Sequence, residues 1–159
     1  MAITRESLIA VISDVARTGD HFTGAYLAYD GYQPFSPSSL LQSGTCYIGT
    51  ADIDGAECQA LLYGLTQVAS DLAPEARQTV WAGTDNWSVG SRLNRLISHY
   101  VEAARAGQGH EVQGKTGNER QLLRLLPSFK NIFVTWVPRG IAEPAHALAA
   151  TGRLARGGK

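Results

Sequence analysis

The first half of the chain is built from short apolar runs rich in β-branched residues, and the second half is dominated by helical spacing. Leu8-Ile9-Ala10-Val11-Ile12-Ser13 is an almost unbroken apolar run, the mark of a strand buried on both faces. The polar, glycine-containing stretch from Val15 to Phe22 predicts a turn. Thr23 to Tyr29 predicts a second strand, close enough to form a hairpin with the first. Asp30 to Ser39, with Gly31, Pro34 and Pro37, is a loop. Ser43 to Gly49, with Thr45, Tyr47 and Ile48, is a third strand. The period then changes. Asp54 and Glu57 have the spacing of an N-cap and the third position of a capping box. The helix they open places Ala60, Leu61, Leu65 and Val68 on one face and ends before Pro74.

Gln78 to Trp81 predicts a fourth strand. Asn86 to Ala106 predicts a long amphipathic helix, with Val89, Leu93, Leu96, Ile97, Tyr100 and Val101 at helical spacing. A polar loop from Gly107 to Gly117 leads to a short helix, Asn118 to Leu126, stopped by Pro127. Asn131 to Val137 is a fifth strand and Pro138 to Glu143 a loop. Pro144 suits the first turn of a last helix reaching about Leu154. The resulting order, β-β-β-α-β-α-α-β-α, predicts an α/β mixed sheet with helices on both faces. No repeat or linker interrupts it, so residues 1–155 read as one domain and 156–159 as a flexible tail.

Composition narrows the partners. The chain has 159 residues, 44% of them hydrophobic and 18% charged, and its formal net charge is zero. A nucleic-acid binder usually carries a basic excess, so any positive surface here has to be local. Arg92, Arg95 and Arg105 on the long helix are candidates for such a stripe, or are simply a solvated face. Met1 to Glu6 does not resemble a secretory leader, and no run approaches the roughly 18 apolar residues of a membrane span. Two cysteines, Cys46 and Cys58, make no disulfide framework. A reduced, cytoplasmic setting is expected.

Three acids stand where an acid costs the fold something. Asp14 follows the first strand, Asp85 follows Thr79-Val80-Trp81-Ala82-Gly83-Thr84, and Glu57 lies in the first turn of the first helix. Each has a plain reading: Asp14 as a turn residue, Glu57 as the capping-box acid, Asp85 as an N-cap. The other reading is collective. Polar groups at the carboxyl ends of neighbouring parallel strands share one crevice, so strands one and four, if adjacent, bring Asp14 and Asp85 together. Carboxylates forced together repel unless a cation lies between them. Oxygen ligands select hard ions such as Mg²⁺ or Mn²⁺, and two such ions about 4 Å apart support phosphodiester cleavage.

In order and type, the motifs resemble a type 1 ribonuclease H over nearly all of Leu8 to Ala155. The resemblance rests on the strand ending in Asp14, the hairpin Gly24-Ala25-Tyr26-Leu27, and the strand Tyr47-Ile48-Gly49 leading to Ala56-Glu57-x-x-Ala60-Leu61-x-x-Gly64-Leu65. It rests also on Thr84-Asp85 opening a long helix, and on Trp136-Val137-Pro138-Arg139 followed by Ala145-His146-Ala147-Leu148-Ala149. It implies a ribonuclease H-like five-stranded mixed sheet of order 3-2-1-4-5. It also implies hydrolysis of the RNA strand of an RNA–DNA hybrid by a two-metal mechanism, with Mg²⁺ or Mn²⁺ held by Asp14, Glu57, Asp85 and His146. His146 takes the slot of a fourth acid. Imidazole is a poor Mg²⁺ ligand, so the histidine implies a preference for Mn²⁺, a proton carrier, an impaired second site, or a structural helix residue.

The chain departs from the family elsewhere too. Val15-Ala16 follows the first acid in place of a small pair. Asp54 stands where the family often has an asparagine that reads the RNA 2′-hydroxyl; an aspartate still accepts from that hydroxyl but repels phosphate. The loop Gly140-Ile141-Ala142-Glu143 lacks the family's asparagine and histidine, and Gly107 to Gly117 offers only Lys115 in place of a basic protrusion. Trp87 is a candidate to stack on a nucleotide, or is core. Arg139 is a candidate phosphate contact, or is solvated. Three functions follow: a hybrid-specific endonuclease, a non-catalytic or weakly active nucleic-acid-binding module, or a nuclease for another nucleic acid.

Overall fold

The computed structural model describes residues 6–49 and 52–152. Five strands, β1 (Leu8–Thr18), β2 (His21–Asp30), β3 (Leu40–Gly49), β4 (Thr79–Thr84) and β5 (Asn131–Trp136), form one sheet of order β3-β2-β1-β4-β5. The β1–β2 and β2–β3 pairs are antiparallel, whereas β1–β4 and β4–β5 are parallel. Among the described residues, four α-helices complete the predicted element order: α1 (Ile53–Asp71), α2 (Trp87–Arg105), α3 (Gly117–Leu125) and α4 (Arg139–Thr151). Helix α4 ends at Thr151, short of the expected Leu154, because Gly152 caps it at φ +70°, and the expected tail 156–159 lies outside the described residues.

The unbroken apolar run of β1 is explained by layers on both sides. Successive side chains of a strand point to opposite faces. Ile9 and Val11 pack with Leu61, Leu65, Leu93 and Leu122 beneath α1, α2 and α3, while Ala10 and Ile12 pack with Ala145 and Leu148 of α4. Each large side chain fully buried in this way contributes about 2 kcal/mol. Gly64 brings α1 close to the sheet, because a Cβ there would stand 2.8 Å from the Cβ of Tyr26.

Several boundaries differ from the sequence reading, each for a local reason. Val15 to Thr18 continues β1, and only Gly19 and Asp20 form the turn, with Gly19 at φ +63°. The two-residue turn suits the Gly-Asp pair. The N-cap of α1 is Asp52, whose carboxylate accepts from the Gly55 amide at 2.6 Å, so Asp54 lies inside the helix and Glu57 is its fifth residue. The N-cap of α2 is Asn86, which accepts from the Val89 amide at 3.0 Å, leaving Asp85 free of that task. The capping box that does form joins Thr116 and Glu119 at α3. Helix α4 begins at Arg139 after Pro138, so Pro144 is interior and residues 139–143 are helical. Pro144 removes one backbone donor, and Gly140 lowers helix propensity, which is why the sequence reads as a loop there.

Candidate metal centre

β1 runs alongside β4 only from Leu8 to Ile12, the last pair being Ile12 with Gly83. Beyond that point β1 continues with β2 alone, so Asp14 sits mid-strand, paired with Ala25, yet past the end of its parallel neighbour. Asp85 is the first residue after β4. The two acids therefore meet where connections from adjacent parallel strands diverge, the position that opens a crevice in such sheets. Glu57 reaches it from α1, whose start is held on the β1–β2 extension by Val15, Phe22, Ala56 and Ala60, buried together. A second tie joins the starts of two helices: the Asn86 side-chain amide donates to Asp54 at 2.8 Å.

The carboxylate oxygens of Asp14, Glu57 and Asp85 lie within 4.8 Å of one another. Asp14 and Glu57 are each only 5% exposed, and the Asp85 side chain is 13% exposed. One Asp14 oxygen accepts from the Val15 amide at 2.8 Å. Oε2 of Glu57 is buried with no hydrogen-bond partner among the described residues. Burial pushes the Glu57 carboxyl up to about 9, reinforced by the neighbouring charges of Asp14 and Asp85. Burial likewise raises Asp14 to about 6, partly offset by the Val15 amide and His146 and added to by Asp85. An unpartnered buried oxygen among three converging carboxylates fits a hard divalent cation, since positive charge there would relieve both the repulsion and the desolvation.

His146, on α4, reaches the same cleft. Its Nδ1 is 2.9 Å from the Val15 carbonyl and 3.5 Å from Asp14 Oδ2. A carbonyl only accepts, so Nδ1 carries a proton, and in the neutral ring the lone pair is on Nε2. Any metal bond from this imidazole must therefore come from Nε2. His146 is not one of the ligand atoms gathered within 4.8 Å. Arg139, also at the cleft, has its Nε 3.8 Å from Asp85 Oδ2 and a side chain 88% exposed. The cleft has a volume of about 600 Å³ and is lined also by Arg17, Phe22, Ile53 and Asn86.

The other sequence candidates separate cleanly. Trp87 is 69% exposed at the first position of α2, so its core reading is overturned. Asp54 is half-buried and does not line the cleft, and its carboxylate accepts from Asn86, which does. Arg92, Arg95 and Arg105 are exposed along α2. The sequence reading placed Trp136 in a motif but gave it no role; its indole donates to the Asp85 carbonyl at 3.2 Å. It also missed Val15, whose carbonyl orients His146. Backbone carbonyls leave no trace in a sequence, whereas an exposed tryptophan closing a strand is a signal that was available.

No protein-family model and no curated protein sequence matches the chain. Solved structures do. RNase H1 from the halophilic archaeon Halobacterium salinarum NRC-1 aligns with a TM-score of 0.63 at 20% identity, over 90% of this chain and 95% of that one. The N-terminal RNase H domain of rv2228c from Mycobacterium tuberculosis gives 0.65 at 17% identity, over 91% and 92%. LC11-RNase H1, solved in complex with an RNA/DNA hybrid, gives 0.61 at 15% identity, over 86% and 90%. At these identities the likeness establishes a ribonuclease H-like fold. Among the described residues, no helix is long and apolar enough to cross a membrane.

Proposed function

We propose that a chain with this ribonuclease H-like fold is a metal-dependent endonuclease that hydrolyses the RNA strand of RNA–DNA hybrids. The observation that carries the proposal is the convergence of Asp14, Glu57 and Asp85 within 4.8 Å, from the middle of β1, the start of α1 and the end of β4, in one cleft. These three residues are the ligands, with His146 available through Nε2 beside Asp14. Bound there, two divalent cations, Mg²⁺ or Mn²⁺, would supply an activated water and offset the charge developing on the leaving oxygen.

The remaining side chains bind and orient. Arg139 is exposed and already turned toward Asp85, so its guanidinium can engage a phosphate at the rim. Asp54 retains acceptor capacity beyond its bond to Asn86 and can accept from a 2′-hydroxyl, the group that distinguishes RNA from DNA. Trp87 offers an open aromatic face at the start of α2. A non-catalytic or weakly active nucleic-acid-binding module is the second reading. It is favoured by the zero net charge and by a histidine outside the three-acid cluster.

Incubation of a labelled hybrid in Mg²⁺ and in Mn²⁺ separates the readings, with Asp85→Asn as control. The nuclease reading expects RNA-strand cleavage in at least one metal, lost in the variant. Hybrid binding without cleavage in either metal supports the module instead.

A further inference from the structure

Beside the acid cleft, on the α2–β5 seam, lies a second and smaller cavity of about 230 Å³. Trp87, Gly90, Ser91 and Asn94 line it from α2, at the spacing i, i+3, i+4, i+7 that makes one helix face. Thr135 and Trp136 line it from the end of β5. Two of the chain's three tryptophans are therefore in one cavity, 69% and 49% exposed. Burying these indoles would favour the fold, and leaving both open to water costs that gain. Trp136 is also held in place, because its Nε1 donates to the carbonyl of Asp85, one of the three acids. The cavity is thus tied directly to the candidate metal centre.

We propose that this cavity takes one unpaired nucleobase at the end of a strand, just beyond the paired segment whose phosphate is presented to Asp14, Glu57 and Asp85; the proposal rests on the nuclease reading above. Aromatic rings bind bases through their faces, and a base inside a duplex has both faces covered by its neighbours. Only an unpaired, terminal or extruded nucleotide can offer a free face to Trp87 and Trp136. Ser91, Asn94 and Thr135 supply hydroxyl and amide groups that both donate and accept, matching the edge of a base that has lost its pairing partner. Among the described residues no charged side chain lines the cavity, which suits a neutral heterocycle and leaves the phosphates to the acid cleft and Arg139. The occupant is one planar ring system; the cavity has no room for a duplex.

Binding is measured by fluorescence anisotropy with a labelled single-stranded RNA octamer, in EDTA so that no cleavage occurs. An octamer of the same length with abasic sites is the control. The intact octamer should bind the wild-type protein, and Trp87→Ala and Trp136→Ala should each weaken it about five-fold or more. Trp136→Phe, which keeps a ring but not the bond to Asp85, should stay within about three-fold of wild type. Thermal melting checks that each variant is folded; Trp87, being exposed, tests the idea even if Trp136→Ala does not fold. Equal affinity for the intact and abasic octamers, or an unchanged affinity in Trp87→Ala, overturns the proposal. Octamer binding without hybrid cleavage in any metal would leave this slot standing and sink the nuclease reading. Cleavage with no base-dependent binding would do the reverse.

Discussion

Replacing Glu57 by glutamine should stabilise the metal-free protein. Glu57 is 5% exposed, its Oε2 has no partner among the described residues, and burial holds its carboxyl near 9 against an ordinary value of 4.5. Between those two values the folded state keeps a proton that the unfolded state has released. Stability is therefore fully present below about pH 4.5 and is lost as the pH rises toward 9. The slope is about 1.4 kcal/mol per pH unit for one proton, so holding this site at pH 7 costs about 3 kcal/mol. Glutamine is neutral at every pH, and its amide can donate to Asp14 as the protonated Glu57 carboxyl does. Glu57→Gln in EDTA should then melt roughly 5–10 °C above wild type at pH 7, a gap that widens toward pH 9 and closes near pH 5. Urea unfolding from pH 5 to pH 9 measures it. The wild type should gain stability on adding Mn²⁺, while the variant gains much less. A variant less stable than wild type at pH 8 without metal, or a wild-type stability that climbs from pH 5 to pH 9, would refute the reasoning.

Metal binding should release close to one proton between pH 6 and pH 9, because Asp14 is ionised above about 6 while Glu57 holds its proton to about 9. Calorimetry in buffers of different ionisation enthalpy reads this directly, and apparent affinity should rise up to about tenfold per pH unit. His146→Asp should shift ion preference from Mn²⁺ toward Mg²⁺ in a cleavage assay. A rate unchanged in His146→Ala would remove the histidine from the ligand set. Gly64→Ala should destabilise by about 1–3 kcal/mol in urea, because its Cβ would press on Tyr26 and Val11, and those atoms belong to the sheet. An unchanged midpoint would mean that α1 does not lie that close.

The element order and the alternation of layers were legible in the sequence, because both depend on local periodicity: the apolar run of β1 and the helical stripe of α2 each encode the faces they bury. Element ends were less legible. Asp52 rather than Asp54 caps α1, and Asn86 rather than Asp85 caps α2, since neighbouring residues of similar chemistry compete for one cap and only the chain's path decides. At α4, Gly140 and Pro144 hide a helix that packing against β1 and β2 enforces. The three acids could be named from their positions after strands and at a helix start, with the resemblance to a known family ordering them. Their meeting could not. Asp14, Glu57 and Asp85 converge because β1 outruns β4 at Ile12, and because Val15, Phe22, Ala56 and Ala60 seat α1 on the overhang. Register and packing are properties of residues distant along the chain, and the same holds for the Val15 carbonyl that fixes His146 and for the slot between Trp87 and Trp136. Chain order alone names the residue types on hand for chemistry. The tertiary structure decided which of them share a cleft, because burial and proximity, which raise the Glu57 carboxyl and create the demand for a cation, exist only once the chain is folded.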